Sequence, residues 1–290
     1  MKATLEKIYG LAIENIAKTK QGNLSEVYEI QTDQTTYIAR IVHSTFELEN
    51  YLEVNRVDRA KIAPAIIPTL SGKEYQCLSE KNTCVLLQEY LTGGKVATNN
   101  LAELRLIAQS VAVLSSELQT GNFHAIPDKF DLLEVYEGLS RQNPEAIVLL
   151  DRSGYNAEFF QRLTQLTADQ TEMIHADLGI WNMIRQPTAI RIIDFGELRY
   201  GSVLFDYAAA FMSALDVNYL SAEQINEYMT VYLHSLANDT LDRVRFCHYC
   251  LLWMLRGMLA FTLNYPEAAS EAVIVEMLQQ AEHFRRAVFI

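Results

Sequence analysis

The chain has 290 residues, half of them hydrophobic, and a formal net charge of −12. That length suits one large domain or two lobes with a substantial core. The acidic balance excludes a phosphate-tracking nucleic-acid surface, which needs clustered Lys and Arg, and it fits a soluble enzyme or one with cationic substrates.

The first ninety residues mix strand-like runs with turn signals. EVYEI from Glu26 and TYIARIV from Thr36, separated by TDQ, read as a hairpin. Along the second run Tyr37, Ala39 and Ile41 share one face and Ile38, Arg40 and Val42 the other, so Arg40 is a charge on an otherwise apolar face. A helix-like segment runs from about Phe46 to Lys61, closed by Pro64 and Pro68, and CVLLQEYL from Cys84 reads as a buried strand leading into Thr92-Gly93-Gly94. The boundary is expected there, dividing residues 1–91 from residues 92–290.

Beyond it the pattern is mostly helical. NLAELRLIAQSVAVLSSEL, FDLLEVYEGLS and AEFFQRLTQL place apolar residues three and four apart, as do FDYAAAFMSAL, AEQINEYMTVYLHSL and DRVRFCHYCLLWMLRGMLAF. Between these two groups lies a non-helical island from Glu172 to Asp194. Its two apolar runs, TEMIH and AIRIIDF, flank polar and turn residues.

The island carries the chemistry. His175, Asp177 and Asn182 form H-x-D-x-x-x-x-N, followed after a short hairpin by Asp194-Phe195-Gly196. Phosphoryl transfer needs one carboxylate to orient an acceptor hydroxyl and take its proton. It also needs a second carboxylate and an amide oxygen to hold the Mg²⁺ that bridges a triphosphate. Each motif alone arises by chance; the two in this order and at this spacing do not.

The text IHADLGIWNMI followed by IRIIDFGELRYGSVLFDYA resembles the aminoglycoside phosphotransferase and choline kinase superfamily, and more distantly the protein kinases. The resemblance implies a bilobal, protein-kinase-like α+β fold. Its small lobe would hold an antiparallel sheet with one helix, its large lobe would be mostly helical, and ATP would bind between them. It implies Asp177 as catalytic base, Asn182 and Asp194 as Mg²⁺ ligands, His175 as a brace for the loop and Asp206 as a structural anchor. QGNLSEVYEI is similar to the family's phosphate-covering hairpin, in which Ser25 and backbone N–H groups would meet the phosphates. Arg40 sits where relatives carry a Lys or Arg reaching the phosphates, with Glu49 as the helix carboxylate that holds it and Glu47 and Glu53 as competitors for that role. LLQEYLTGG resembles the adenine-contacting hinge, with the backbone of Glu89 and Leu91 binding the base.

The implied reaction is transfer of the γ-phosphoryl of ATP to a hydroxyl of a small molecule that resembles an aminoglycoside, choline or homoserine, with a tilt toward a cationic acceptor. The rival readings are a nucleotide-binding module without turnover and a kinase acting on proteins. The presence of Asp177, Asn182 and Asp194 opposes the first; the short stretch between Asp194 and Asp206 opposes the second. Trp181, Tyr200, Tyr207 and Trp253 are either acceptor-side aromatics, able to hold an ammonium by cation–π attraction, or ordinary packing residues. Glu197 is either a second metal or amine contact or a surface residue.

Cys247-His248-Tyr249-Cys250 lies in a helical stretch without a second ligand pair and is read as buried helix packing. With Cys77 and Cys84, the four cysteines are too few for a disulfide scaffold, and a reducing, cytoplasmic location is expected. The opening MKATLEKIYG lacks the apolar core of a signal peptide, and CLLWMLRGMLAFTL is short and broken by Arg256, so neither export nor a membrane span is expected.

Overall fold

The computed structural model describes residues 1–19, 26–78, 83–124, 131–168, 171–237 and 241–289. Helix α1 (Lys2–Tyr9) precedes strands β1 (Ile13–Lys18), β2 (Glu26–Thr32) and β3 (Thr36–Val42), helix α2 (Thr45–Val57), and strands β4 (Ile66–Ile67), β5 (Gln76–Leu78) and β6 (Thr83–Glu89). The strands form one antiparallel sheet in the order β1-β2-β3-β6-β4, with β5 also on β6. The alternation read in β3 is what the sheet uses. Ala39 and Ile41 join Leu5, Tyr9 and Ile30 in a core under α1, while Val42 packs with Leu48 and Tyr51 of α2 in the main core. Arg40 lies on that second face and is buried, so it is not a surface strand charge.

The large lobe begins with α3 (Leu101–Leu118), α4 (Leu132–Gln142), α5 (Pro144–Arg152) and α6 (Ala157–Leu166). The island follows as β7 (Glu172–Ile174), β8 (Met183–Arg185), β9 (Ile190–Ile192) and β10 (Arg199–Gly201), with β8 paired to β9 and β7 to β10. Helices α7 (Val203–Ser213), α8 (Ala222–Ser235), α9 (Arg243–Asn264) and α10 (Glu271–Val288) complete the chain. Their starts are locally encoded: Asn100, Ser202 and Asp242 cap α3, α7 and α9 with side-chain oxygens, and Ser221 with Gln224 forms a capping box on α8. The architecture is the expected α+β one, an N-terminal antiparallel sheet with helix α2 followed by a largely helical part.

Two features differ from the sequence reading. The apolar stretch read as short belongs to the 22-residue α9, long and apolar enough to cross a membrane; half of its most apolar window is buried in the fold, where it packs against α4, α7 and α10. Cys77 and Cys84 face one another across β5 and β6 and are joined as a disulfide, while Cys247 and Cys250 are free and buried in α9. A sequence separation of seven hides the first pairing, because only the strand register brings the two side chains together.

The two parts are stitched at the cleft. Gly94 exchanges both backbone hydrogen bonds with Arg185 of β8, each 2.9 Å, and a Cβ at Gly93 would stand 2.5 Å from the Arg185 carbonyl oxygen. Only glycine permits that approach. Arg191 of β9 donates to the Ala63 carbonyl and to Glu89, and the side chain of the fully buried Asn50 on α2 both donates to and accepts from the backbone of His124, each bond 2.9 Å. Helix α2 is therefore fastened to the segment beyond α3 as well as to its own sheet.

Candidate active site

The loop between β7 and β8 is held from below. The buried Asp206, in the first turn of α7, accepts hydrogen bonds from the backbone N–H groups of His175 (2.6 Å) and Ala176 (2.9 Å). These bonds fix Ala176 at φ 72°, a left-handed conformation that costs a residue with a side chain roughly 1–2 kcal/mol. The fully buried His175 ring places Nε2 3.1 Å from the Ile193 carbonyl and Nδ1 3.4 Å from the Asp177 N–H. A carbonyl only accepts, so Nε2 carries the proton and Nδ1 accepts. Burial raises the Asp206 carboxyl above its ordinary value, opposed by the two backbone N–H bonds. Asp206→Ala should leave one buried and one part-buried donor unpaired and lower stability by about 3 kcal/mol, measured by denaturant unfolding.

At the rim, Asn182 donates from Nδ2 to both the Asp177 carbonyl and its carboxylate Oδ2, each at 2.9 Å. That use of the nitrogen leaves the amide oxygen of Asn182 available. The indole N–H of Trp181 reaches both Asp177 oxygens, at 3.3 and 3.4 Å; its ring is 54% exposed and stacks on Trp253 of α9 with centroids 6.3 Å apart. Burial raises the Asp177 carboxyl, while the hydrogen bonds from Trp181 and Asn182 oppose that rise. The Ile193 N–H bonds the Asn182 carbonyl at 2.9 Å, which brings the next residue, Asp194, beside Asn182.

Asp194 has φ 68° and projects a carboxylate, about one-third exposed, whose Oδ1 receives two donors, Arg40 Nη1 at 3.1 Å and the Tyr51 hydroxyl at 2.9 Å. The Arg40 guanidinium also lies 4.8 Å over the Tyr51 ring. Tyr51 is absent from the sequence reading, and Glu49 needs correction. The structure pairs Glu49 with His124 Nε2 at 2.9 Å, whereas the Glu47 charge acts on Arg40, and Glu47 Oε1 lies 3.3 Å from the position of a Cβ on Gly196. Helix rotation is the reason. Glu47 and Tyr51 are four residues apart and share a face with Leu48, while Glu49 is turned roughly 200° from Glu47. Glu53, the other competitor, accepts from the Asn122 N–H. The apolar positions Leu48, Leu52 and Val54, taken together, were the signal that could have fixed that rotation.

On the nucleotide side, Ser25 lies outside the described residues. The Glu89 N–H is given to the Ala65 carbonyl at 2.8 Å, and its carboxylate receives the Ala65 N–H and Arg191 Nη2. Any base contact by Glu89 therefore falls to its carbonyl. Among the described residues nothing pairs with the backbone of Leu91, two positions on. No cluster of three His, Cys, Asp or Glu occurs among the described residues. A cation would instead rest on hard oxygens, the Asn182 amide oxygen and the Asp194 carboxylate, the donor set of an ion that keeps waters and phosphate oxygens in its shell. The arrangement can thus deprotonate or orient a hydroxyl at Asp177 and bind a cation on the oxygens of Asn182, the partner of that base, and Asp194.

The sequence profile described as "Phosphotransferase enzyme family" matches residues 16–247. Among curated proteins no sequence matches the chain. Solved structures match nearly end to end. The amicoumacin kinase hAmiN, in complex with AMP-PNP, Ca²⁺ and Ami, has 15% identity and a TM-score of 0.71, covering 98% of this chain and 92% of its own. An aminoglycoside phosphotransferase from Alicyclobacillus acidocaldarius has 14% identity and a TM-score of 0.70, covering 100% of this chain and 93% of its own. The choline kinase LicA from Streptococcus pneumoniae has 15% identity and a TM-score of 0.61, covering 99% and 97%. At such identities the likeness is one of fold.

Proposed function

The chain belongs to the phosphotransferase enzyme family, and from that premise we propose that it transfers the γ-phosphoryl of Mg²⁺-bound ATP to a hydroxyl of a small, amine-bearing molecule. The observation that carries the reading is the coupling of base and cation site. Asn182 bonds Asp177 with its nitrogen, turns its amide oxygen away, and is tied through its backbone to Ile193, the neighbour of Asp194.

Asp177 accepts the proton of the acceptor hydroxyl and aims that oxygen at the transferred group. Asn182 and Asp194 would hold Mg²⁺, which when bound offsets the charge of the phosphate oxygens. Arg40 binds phosphate through its planar guanidinium and stays anchored on Asp194. The carbonyl of Glu89 and the N–H of Leu91 meet the base, and Ser25 meets the phosphates. Residues 1–91 and 92–290 are the two lobes that hold the nucleotide between them, joined at Thr92-Gly93-Gly94, and the enzyme works in the cytoplasm. Catalysis comes mainly from positioning and electrostatic stabilisation.

Three observations support an amine-bearing acceptor: the net charge of −12, the exposed Trp181 face stacked on Trp253 beside Asp177, and the nature of the relatives. Aminoglycoside phosphotransferases, an aminopropanol kinase and a choline kinase, acting by name on amino or ammonium alcohols, share the fold.

The test is phosphate transfer from Mg·ATP to a panel of aminoglycosides, choline, ethanolamine, aminopropanol, homoserine and neutral sugars, with Asp177→Ala as the blank. Transfer to an amine-bearing member that vanishes in the blank is the expected result. Transfer only to neutral sugars or to protein would overturn the acceptor class. Failure of Mg·ATP to raise the melting temperature would overturn the kinase reading itself.

A further inference from the structure

The hydroxyl of Tyr51 does more than packing requires. The ring is 2% exposed, packs edge-on against Phe195 at 6.4 Å between centroids, and lies under the Arg40 guanidinium. A phenylalanine would meet those needs. The phenol O–H donates at 2.9 Å to Asp194 Oδ1, the oxygen that also receives Arg40. Among the described residues Oδ2 accepts nothing, and the carboxylate remains about one-third exposed.

We propose that Tyr51 is a positioning residue for Asp194: its hydroxyl fixes Oδ1 so that Oδ2 is presented to the cation that accompanies the nucleotide. The inference rests on the phosphotransfer reading above and assigns part of that site's hold on its cation to a residue on α2. Arg40 cannot hold Asp194 alone while it also binds phosphate, because its donors are then divided between two anions. Tyr51 is sealed inside α2's contact surface and has Asp194 as its hydrogen-bond acceptor throughout. A carboxylate oxygen can only accept, so in the 2.9 Å contact the phenol O–H is the donor.

The mounting of α2 supports the same role. Asn50, one position before Tyr51, is bonded twice to His124, and Glu53 accepts from the Asn122 N–H at 2.8 Å. The donor on α2 is thereby held by the segment after α3 as well as by its own sheet.

The experiment compares wild type and Tyr51→Phe by titration calorimetry with AMP-PNP, in Mg²⁺ and in EDTA, together with Mn²⁺ binding to the AMP-PNP complex by electron paramagnetic resonance. Melting curves without nucleotide check that the variant is folded. Loss of one charge-assisted bond should weaken Mg·AMP-PNP binding about tenfold and weaken Mn²⁺ retention in parallel, while metal-free AMP-PNP binds both proteins alike. Wild-type metal dependence in Tyr51→Phe would overturn the assignment, as would an equal loss with and without metal, which marks a packing role. If the wild type itself shows no Mg²⁺-dependent binding of AMP-PNP, the phosphotransfer reading fails first and takes this inference with it.

Discussion

Asp177→Ala should lower kcat by roughly 10³-fold with the phosphate acceptor saturating, while the affinity for Mg·ATP stays within a factor of about two. The asymmetry follows from the bonds at the loop. Truncation removes the acceptor of the Trp181 indole and one acceptor of Asn182 Nδ2, but Asn182 keeps its 2.9 Å bond to the backbone carbonyl of residue 177. The amide oxygen proposed to hold the cation thus keeps its orientation, and the loss falls on the proton-accepting step. Steady-state kinetics beside calorimetric nucleotide binding make the check; equal losses in both would assign Asp177 to the nucleotide site instead.

The same residue sets a pH dependence. Burial moves the Asp177 carboxyl above its ordinary value of 3.8, and catalysis needs the ionised form. As pH falls through that raised value the base takes up a proton and the rate drops, so kcat/KM should show an acid limb above the range of a free aspartate. Trp181→Phe removes a donor that favours the carboxylate and should move the limb toward higher pH.

Asp194→Ala should abolish Mg²⁺-dependent nucleotide binding, read as loss of the Mg·ATP-induced rise in melting temperature. It should also weaken the protein without nucleotide. Arg40, with a side chain only 6% exposed, loses its partner at 3.1 Å, and the buried Tyr51 hydroxyl loses its acceptor. Stranding a buried charge is costly, but Glu47 remains close enough to act on Arg40, which points to a net loss of about 2 kcal/mol. Asp194→Asn keeps the shape and an acceptor oxygen, so it should recover most of the stability and little of the metal dependence. Tight Mg·ATP binding by Asp194→Ala would remove the residue from the cation site.

Much of this architecture was legible along the chain. The period-two pattern of TYIARIV placed Arg40 on the face opposite Ala39 and Ile41, and β3 divides between two cores along that line. The apolar spacing found α3, α4, α6, α7, α8 and most of α9, because each helix buries a stripe and carries its own caps. The fixed spacing of His175, Asp177 and Asn182 made the loop recognisable, since one short turn must place all three. Strands as brief as β4 and β5 carry too few residues for a period to show, and they exist only because β6 supplies the partners.

Cross-element geometry lay beyond the sequence. Which of Glu47, Glu49, Tyr51 and Glu53 meets Arg40 and Asp194 depends on how α2 is rotated and docked, set by Leu48 and Leu52 in the core and Asn50 on His124. Local periodicity fixes which residues share a face; it does not say which neighbour that face will meet. The sequence by itself therefore determined the order and spacing of the proposed catalytic parts, because these are short-range properties of one loop and its hairpin. Only the tertiary structure decided what holds Asp194, because that depends on bringing β3, α2 and the segment after β9 to one point, across separations of up to 154 residues.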